Sequence, residues 1–109
     1  IIGDVKGKDC IILDDIIDSA GTISNAANRI MELGAKSITS YVTHGVLTGK
    51  ALERINNSKL TELVITNSIN NQDILSNGNK IRSIDVSTLL GEAIKRISEE
   101  SSVSSLFDF

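Results

Sequence analysis

The feature that most constrains the fold of this chain is an apolar run that ends in two adjacent carboxylates. Residues Ile11–Leu13 are aliphatic, Asp14 and Asp15 follow them directly, and an amphipathic segment starts at Thr22. An unbroken aliphatic run suits a central parallel strand that is covered on both faces. In open α/β sheets, ligands bind just beyond the carboxyl ends of such strands. The order of strand, acidic pair, loop and helix therefore predicts an α/β fold with a binding site after this strand.

The loop that joins this strand to the helix has the residues of a phosphate cradle. Gly21 permits a positive φ and a close approach of the backbone to a ligand, and Ala20 is small. Ser19 and Thr22 carry hydroxyl donors, and the N-terminus of the helix attracts an anion through its unpaired N–H groups. Thr22 is also a candidate for an ordinary N-cap of this helix. Capping and anion binding use the same N–H groups, so both interpretations stay open.

Three aspartates flank this loop. Asp14 and Asp15 can accept charge-assisted hydrogen bonds from a sugar diol, and two solvated carboxylates at a strand end are the plain alternative. Asp18 would repel a phosphate held by the same loop. We therefore expect its carboxylate to turn away, toward loop N–H groups or toward the reacting end of the sugar. In the second position it is a candidate catalytic group, and no other residue of the chain is assigned a catalytic role.

The segment Asp14–Thr22 resembles the ribose-phosphate signature of the type I phosphoribosyltransferase fold, in which two acidic and two hydrophobic residues precede Asp-Thr-Gly-Gly-Thr. Ser19 and Ala20 stand where Thr and Gly are commoner. Further segments resemble the ribose-phosphate pyrophosphokinase (phosphoribosyl pyrophosphate synthetase) family in the same order: Gly3–Lys8, Tyr41–Gly45, Ala51–Ile55 and Ser102–Phe107. The loop alone indicates the fold, whereas the whole series indicates the synthetase family.

This resemblance implies a substrate and a reaction. Members of the family transfer the pyrophosphoryl group of Mg-ATP to the 1-hydroxyl of ribose 5-phosphate, which gives phosphoribosyl pyrophosphate and AMP. The resemblance implies that ribose 5-phosphate is bound by the loop and its aspartates: Asp14, Asp15, Asp18, Ser19, Ala20, Gly21 and Thr22. It also implies that Mg²⁺ enters with ATP and is held mainly by residues upstream, with no metal ligand in this chain. A chain without the ATP-binding segment is expected to be inactive alone.

The serine-rich tail has two interpretations. From the residues alone, Ser102, Val103, Ser104 and Phe107 are typical of a frayed terminus with an apolar anchor. The family resemblance implies instead a regulatory site for phosphate or ADP at a subunit interface of a homo-oligomer. Serine hydroxyls suit phosphate oxygens, and Phe107 can pack against a neighbouring subunit.

Composition narrows the class of partner and the setting. The chain has 109 residues, enough for one domain, and its net charge of -3 argues against a nucleic-acid backbone as partner. No apolar run approaches the ~20 residues of a membrane span, and no leader segment is visible, so a cytoplasmic setting is expected. Because the chain starts at Ile1 within an apolar run, we expect it to be part of a longer protein. The family resemblance implies that residues 1–109 are most of a C-terminal phosphoribosyltransferase-like domain.

The remaining patterns predict a three-layer fold, in which a mostly parallel sheet carries helices on both faces and opens with a short hairpin around Val5–Asp9. The predicted strands are Cys10–Asp14, Ser37–Thr43, Glu62–Thr66 and Lys80–Val86. The predicted helices are Thr22–Leu33, a short one capped by Thr48 that ends at Asn57, and one capped by Ser87 that ends at Ser98, with Leu90, Ala93, Ile94 and Ile97 as its buried stripe. The polar segment Asn67–Asn79 is predicted to be a loop.

Other functions share parts of this pattern. A purine or pyrimidine phosphoribosyltransferase has the same loop but is not expected to carry the Ser102–Phe107 tail. A non-catalytic synthetase-associated protein, or a regulator that senses phosphoribosyl pyrophosphate, would keep the pocket without the reaction. The sensing regulator would be expected to carry a DNA-binding segment as well. Sequence upstream of the chain would distinguish these alternatives from the synthetase.

Overall fold

The protein is described by a computed structural model that covers residues 3–77 and 80–107. Strands and helices alternate along the chain. The strands are β1 Asp9–Ile17, β2 Ser37–Gly45, β3 Glu62–Thr66 and β4 Ile81–Ile84. The helices are α1 Gly21–Glu32, α2 Ala51–Asn57, α3 Gln72–Asn77 and α4 Ser87–Ser98, followed by a 3-10 turn over Ser104–Phe107.

The four strands form one parallel sheet in the order β1-β2-β3-β4. Asp9 pairs with Ser37 at the start of the first ladder and Ile17 with Gly45 at its end. Because the strands are parallel and in register, the loops that leave β1 and β2 emerge side by side at one edge of the sheet. The predicted α/β class and parallel sheet are confirmed.

The core lies between one face of the sheet and the helices. The apolar face of α1, which includes Ile23 and Ala27, packs against Ile38 and Val42 of β2, and Ile55 of α2 joins the same cluster. This cluster places α1 and α2 beside each other over β1 and β2, so the loops that precede the two helices are held close together. Gly34 adopts a φ of 97° after the end of α1, as expected of a glycine C-cap.

The opposite face of the sheet carries exposed apolar residues. Ile11 and Leu13 are 62% and 78% exposed, and they alternate with Cys10 and Ile12, which pack against the core. Among the described residues, helices α1, α2 and α3 pack against the face of the sheet that carries Cys10 and Ile12.

The prediction of a buried stripe on α4 is wrong for this chain, although the end of the helix at Ser98 is confirmed. Ser87 is the first helical residue rather than the predicted cap, because Val86 is the N-cap. Leu90, Ile94 and Ile97 are 50%, 68% and 67% exposed, and α4 has no buried residue, Ala93 included. Its apolar periodicity is real, but no described element packs on it.

Two predictions about the connections also need correction. Lys8 N–H donates to Val5 C=O at 3.1 Å, so the first turn is present, but Asp4 and Val5 are not in a strand and no hairpin forms among the described residues. Ile1 and Ile2, the rest of that predicted hairpin, lie outside the described residues. The predicted loop Asn67–Asn79 contains helix α3, which a polar, Asn-rich sequence conceals because it lacks an apolar stripe.

None of the helices in the described part of the chain is both long enough and apolar enough to span a bilayer.

Candidate functional site

The loop between β1 and α1 encloses a small cavity of about 220 Å³. Its walls are Asp14 and residues 16–23. Six of the seven residues predicted to form the substrate site therefore meet around one cavity: Asp14, Asp18, Ser19, Ala20, Gly21 and Thr22. Asp15, the seventh, is not part of its wall.

The N-terminus of α1 supplies unpaired donors to this cavity. The helix begins at Gly21 after Ala20, and no side chain caps it. The first intrahelical bond runs from Ser24 N–H to Ala20 C=O at 3.0 Å, which leaves the N–H groups of Gly21, Thr22 and Ile23 without a helical partner. The interpretation of Thr22 as the N-cap is wrong, because Thr22 lies inside the first turn. The unpaired groups are those that an anion at a helix N-terminus accepts from.

The loop before the helix is held in an unusual conformation. Ala20 has φ 67° and ψ 10°, the left-handed region that a non-glycine residue seldom adopts, and it is buried. This position is the first glycine of the commoner Asp-Thr-Gly-Gly-Thr motif. The structure explains why glycine is common there, since glycine adopts a positive φ without steric cost.

The loop after β2 is hydrogen-bonded to the end of β1 and to the loop that follows it. Val46 N–H and Leu47 N–H donate to Ile17 C=O at 2.9 and 3.3 Å, and Thr48 N–H donates to Asp18 C=O at 3.1 Å. The Thr48 hydroxyl donates to the Asp18 carboxylate. Thr48 is therefore not the helix cap that its position suggests. The Asp18 carboxylate is directed to a neighbouring loop, although to a hydroxyl rather than to N–H groups.

Asp14 and Asp15 both lie within β1, which extends three residues beyond the predicted strand end at Asp14. Successive side chains of a regular strand point to opposite faces, but the Asp14 carboxylate folds back toward the backbone of Asp15. Asp15 N–H donates to the Asp14 carboxylate at 2.8 Å. The pKa of Asp15 is lowered, first by a hydrogen bond with the Asp14 side chain and then by the N–H groups of Asp15 and Ile16.

His44 lies beside this site but outside the cavity. It pairs with Ile16 across the β1–β2 ladder, and its Nδ1 shares a hydrogen bond with the Ser68 hydroxyl at 2.8 Å. The charge of His44 makes only the smallest contribution to the lowered pKa of Asp15. No three His, Cys, Asp or Glu side chains cluster as a metal site within the described ranges.

The tail folds back on the end of α4 through one arginine. Arg96 Nη1 donates to Ser102 C=O at 3.2 Å and to the Ser105 hydroxyl. The hydroxyls of Ser102 and Ser104 lie 3.0 Å apart, and Phe107 is 58% exposed. Two predicted regulatory hydroxyls thus lie side by side, and the Phe107 ring is exposed.

Arg54 is a residue of this site that sequence reasoning missed. It extends from α2, and its Nη1 donates to Ser19 C=O at 3.0 Å. Sequence could have indicated it through one rule: segments that follow adjacent parallel strands meet at the same edge of the sheet. The same rule accounts for the contact between Thr48 and Asp18.

Comparison with known proteins agrees with this geometry. The family model of the phosphoribosyl synthetase-associated domain matches residues 1–108. The chain belongs to this family. A ribose-phosphate pyrophosphokinase of Brucella melitensis is 55% identical over 108 residues, which are 99% of this chain and 35% of that protein. One from Caulobacter vibrioides is 56% identical over the same length and share.

A solved structure of the family extends the comparison. The phosphoribosylpyrophosphate synthetase from Mycobacterium smegmatis superposes with a TM-score of 0.85 at 36% identity, covering 92% of this chain and 33% of that chain. The family resemblance predicted from the motifs is confirmed. The chain spans about a third of the length of these relatives.

Proposed function

We propose that this chain forms the ribose 5-phosphate-binding part of a ribose-phosphate pyrophosphokinase that works in the cytoplasm. The proposal is supported by one observation above all. The loop Asp18–Thr22 and the uncapped start of α1 line a single cavity together with the carboxylate of Asp14. A sugar phosphate needs this combination, because its phosphate accepts hydrogen bonds and its hydroxyls donate them.

Each end of the substrate has suitable partners. The 5-phosphate would accept hydrogen bonds from the N–H groups of Gly21, Thr22 and Ile23 and from the Ser19 and Thr22 hydroxyls. Hydrogen bonds between N–H donors and a charged phosphate are roughly twice as strong as neutral ones. Asp14 and Asp15, near the end of β1, would accept hydrogen bonds from the ribose hydroxyls. The lowered pKa of Asp15 keeps that carboxylate ionised at neutral pH.

The proposed reaction is transfer of a pyrophosphoryl group from ATP to the 1-hydroxyl of the bound ribose. Such a transfer depends on positioning and charge neutralisation more than on covalent assistance. Mg²⁺, bound with ATP, would neutralise the phosphate charge. The described residues of this chain offer no three-ligand cluster for it, so the metal and ATP would be held mainly by other parts of the enzyme. The proposed contribution of this C-terminal part is to hold ribose 5-phosphate and orient its 1-hydroxyl.

Thr22→Ala and Gly21→Val in the full-length protein test this assignment. Thr22→Ala removes a phosphate donor, and Gly21→Val places β-branched bulk at the start of α1. We expect the KM for ribose 5-phosphate to rise by about tenfold or more while the KM for ATP changes little. Thr88→Ala, an exposed threonine on α4, is the control. Equal losses toward both substrates would contradict a ribose 5-phosphate site at this loop.

We further propose that Ser102, Val103, Ser104 and Phe107 form a regulatory site for phosphate or ADP at a contact between subunits of a homo-oligomer. The adjacent hydroxyls of Ser102 and Ser104 and the exposed Phe107 support this. The double variant Ser102→Ala with Ser104→Ala should weaken the response to added phosphate and ADP several-fold at saturating substrate. Ser98→Ala is the control. An unchanged effector titration for the double variant would leave the tail as a plain terminus.

A further inference from the structure

We propose that Arg54 is a positioning residue for the ribose-phosphate loop, which orients the peptide unit between Ser19 and Ala20. This inference rests on the proposed function of the loop. Arg54 Nη1 donates to Ser19 C=O at 3.0 Å from α2, a helix that contributes no residue to the wall of the cavity. A planar trans peptide directs its C=O and its N–H to opposite sides. A donor that holds the Ser19 carbonyl on the α2 side therefore directs the Ala20 N–H away from α2.

The Ala20 N–H is free to serve as a phosphate donor. It makes no hydrogen bond to another described residue, and Ala20 is part of the wall of the cavity. Ala20 directly precedes the unpaired N–H groups at the start of α1. With its N–H on the cavity side, the loop and the helix present one continuous row of donors. Continuous rows of backbone N–H groups are a known means of holding anions.

The Ser19–Ala20 peptide requires a hydrogen bond from outside the loop, because its orientation strains the backbone of Ala20. Ala20 has a φ of 67°, which its Cβ disfavours. Rotating the Ser19–Ala20 peptide by half a turn would return φ to the negative region. The same rotation would place the Ser19 carbonyl oxygen on the cavity side, where it would repel a phosphate. The intrinsic preference of Ala20 thus opposes anion binding, and the bond from Arg54 opposes that preference.

The surroundings of Arg54 suit this role. A Cβ on Gly21 would lie 3.8 Å from Arg54 Nη1, so the guanidinium reaches the first residue of α1. Of the three ion pairs among the described residues, none includes Arg54. Its charge is therefore not neutralised by a described carboxylate, and a charged donor forms a stronger bond with the carbonyl than a neutral one. Arg54 also borders an open polar groove between α1 and α2, beside Lys50 and Asn28.

Arg54→Ala in the full-length protein tests the inference. We expect the KM for ribose 5-phosphate to rise by about tenfold, the KM for ATP to stay within about twofold, and Arg54→Lys to recover part of the loss. Arg29→Ala is the matched control, because Arg29 is an exposed arginine of α1 whose side chain makes a surface ion pair with Glu32 at 3.5 Å. Thermal unfolding of each variant separates a folding defect from a positioning defect.

A second variant distinguishes positioning from a direct charge effect. Glycine at position 20 tolerates a positive φ, so Ala20→Gly added to Arg54→Ala should recover several-fold of the lost affinity for ribose 5-phosphate. If Arg54 acted only by attracting the phosphate, Ala20→Gly would recover nothing, and that result would overturn the inference.

The outcomes also separate this inference from the function on which it rests. If Thr22→Ala raises the KM for ribose 5-phosphate and Arg54→Ala does not, the Arg54 inference fails alone. If neither variant affects ribose 5-phosphate, the proposed function of the loop fails.

Discussion

The Thr48 hydroxyl donates a hydrogen bond to the Asp18 carboxylate, and the Thr48 backbone N–H donates to the Asp18 carbonyl at 3.1 Å. One residue of the loop after β2 thus holds the loop after β1 through both its main chain and its side chain. Asp18 is thereby fixed at the edge of the cavity, where a loose carboxylate would repel a bound phosphate.

Thr48→Val should loosen this connection. Valine keeps the shape of threonine but removes the donor, so we expect the free energy of unfolding to fall by about 1–2 kcal/mol. Released from its partner, the Asp18 carboxylate should also weaken binding of ribose 5-phosphate. Thr48→Ser, which keeps the hydroxyl, should retain most of both properties. Denaturant unfolding and substrate titration are the measurements, and a Thr48→Ser variant as impaired as Thr48→Val would contradict the role of the hydroxyl.

Ala20 should tolerate glycine but not valine. A β-branched residue is strongly disfavoured at a φ of 67°, and the site is buried. We expect Ala20→Val to cost about 2 kcal/mol or more in unfolding free energy, and Ala20→Gly to stay within about 1 kcal/mol of the parent. Ala26→Val, at a regular helical position of α1, is the control and should cost about 0.5–0.7 kcal/mol. Similar losses for both valine variants would mean that the backbone of Ala20 carries no strain.

Gly45 should resist substitution because of a close contact in the core. A Cβ at this position would lie 2.8 Å from Ile65 Cδ1 and 3.1 Å from Ile65 Cγ2, and Ile65 is buried. Gly45→Ala should therefore lower the free energy of unfolding by about 1–3 kcal/mol. Gly91→Ala, on α4 with open space around it, should stabilise the protein by up to about 1 kcal/mol.

A double-mutant cycle checks that contact directly. Ile65→Val removes the Cδ1 atom that the new Cβ would meet. The variant with both Gly45→Ala and Ile65→Val should therefore lose less stability than the sum of the two single changes, by about 0.5 kcal/mol or more. Additive losses would show that the clash lies elsewhere.

Asp85 should make stability depend on acid. Its pKa is lowered from the ordinary value of 3.8, first by the hydrogen bond from the Ser87 hydroxyl, then by the Ser87 N–H and by the Asn67 amide. A carboxyl with a lower pKa in the folded state adds stability above pH 3.8 and loses it as the pH falls through the folded value. The parent should therefore be more stable than Asp85→Asn near neutral pH. The difference should shrink below pH 3.8, and a constant difference across an acid titration would contradict this coupling.

Sequence periodicity correctly predicted those strands and helices whose apolar residues recur at strand or helix spacing. The bounds of β3 and the end of α4 match the prediction, and the apolar face of α1 packs as expected because its residues repeat at helical spacing. Helix α3 was missed because its six residues contain only two apolar side chains, Ile74 and Leu75, which are too few to show a helical period. Both side chains are nevertheless partly buried against the core. The exposure of α4 could not be predicted, because an apolar stripe in the sequence shows which face of the helix is apolar but not whether another element covers it.

The motif predicted which residues of the loop lie together, but not how they are arranged, and their role in binding substrate stays a prediction. The motif brought together six residues that line one cavity, because they lie on one short loop at the end of a strand. Asp14 lines that cavity and Asp15 does not, and β1 continues past both residues, which the predicted strand end at Asp14 did not anticipate. Thr48 and Arg54 reach the loop only through the pairing of β1 with β2, and such contacts depend on the fold rather than on local sequence.

The order of the strands across the sheet has a consequence for biosynthesis. Each strand from β2 to β4 pairs with the strand that precedes it in the chain. During translation, β2 can join β1 before β3 has left the ribosome, and each later strand adds to an edge that already exists. No strand has to be inserted between two earlier ones, so the sheet can grow in one direction as domains fold from the N-terminal side during synthesis. The loop between β1 and α1 and its hydrogen bonds with Thr48 can therefore form while the second half of the chain is still being made.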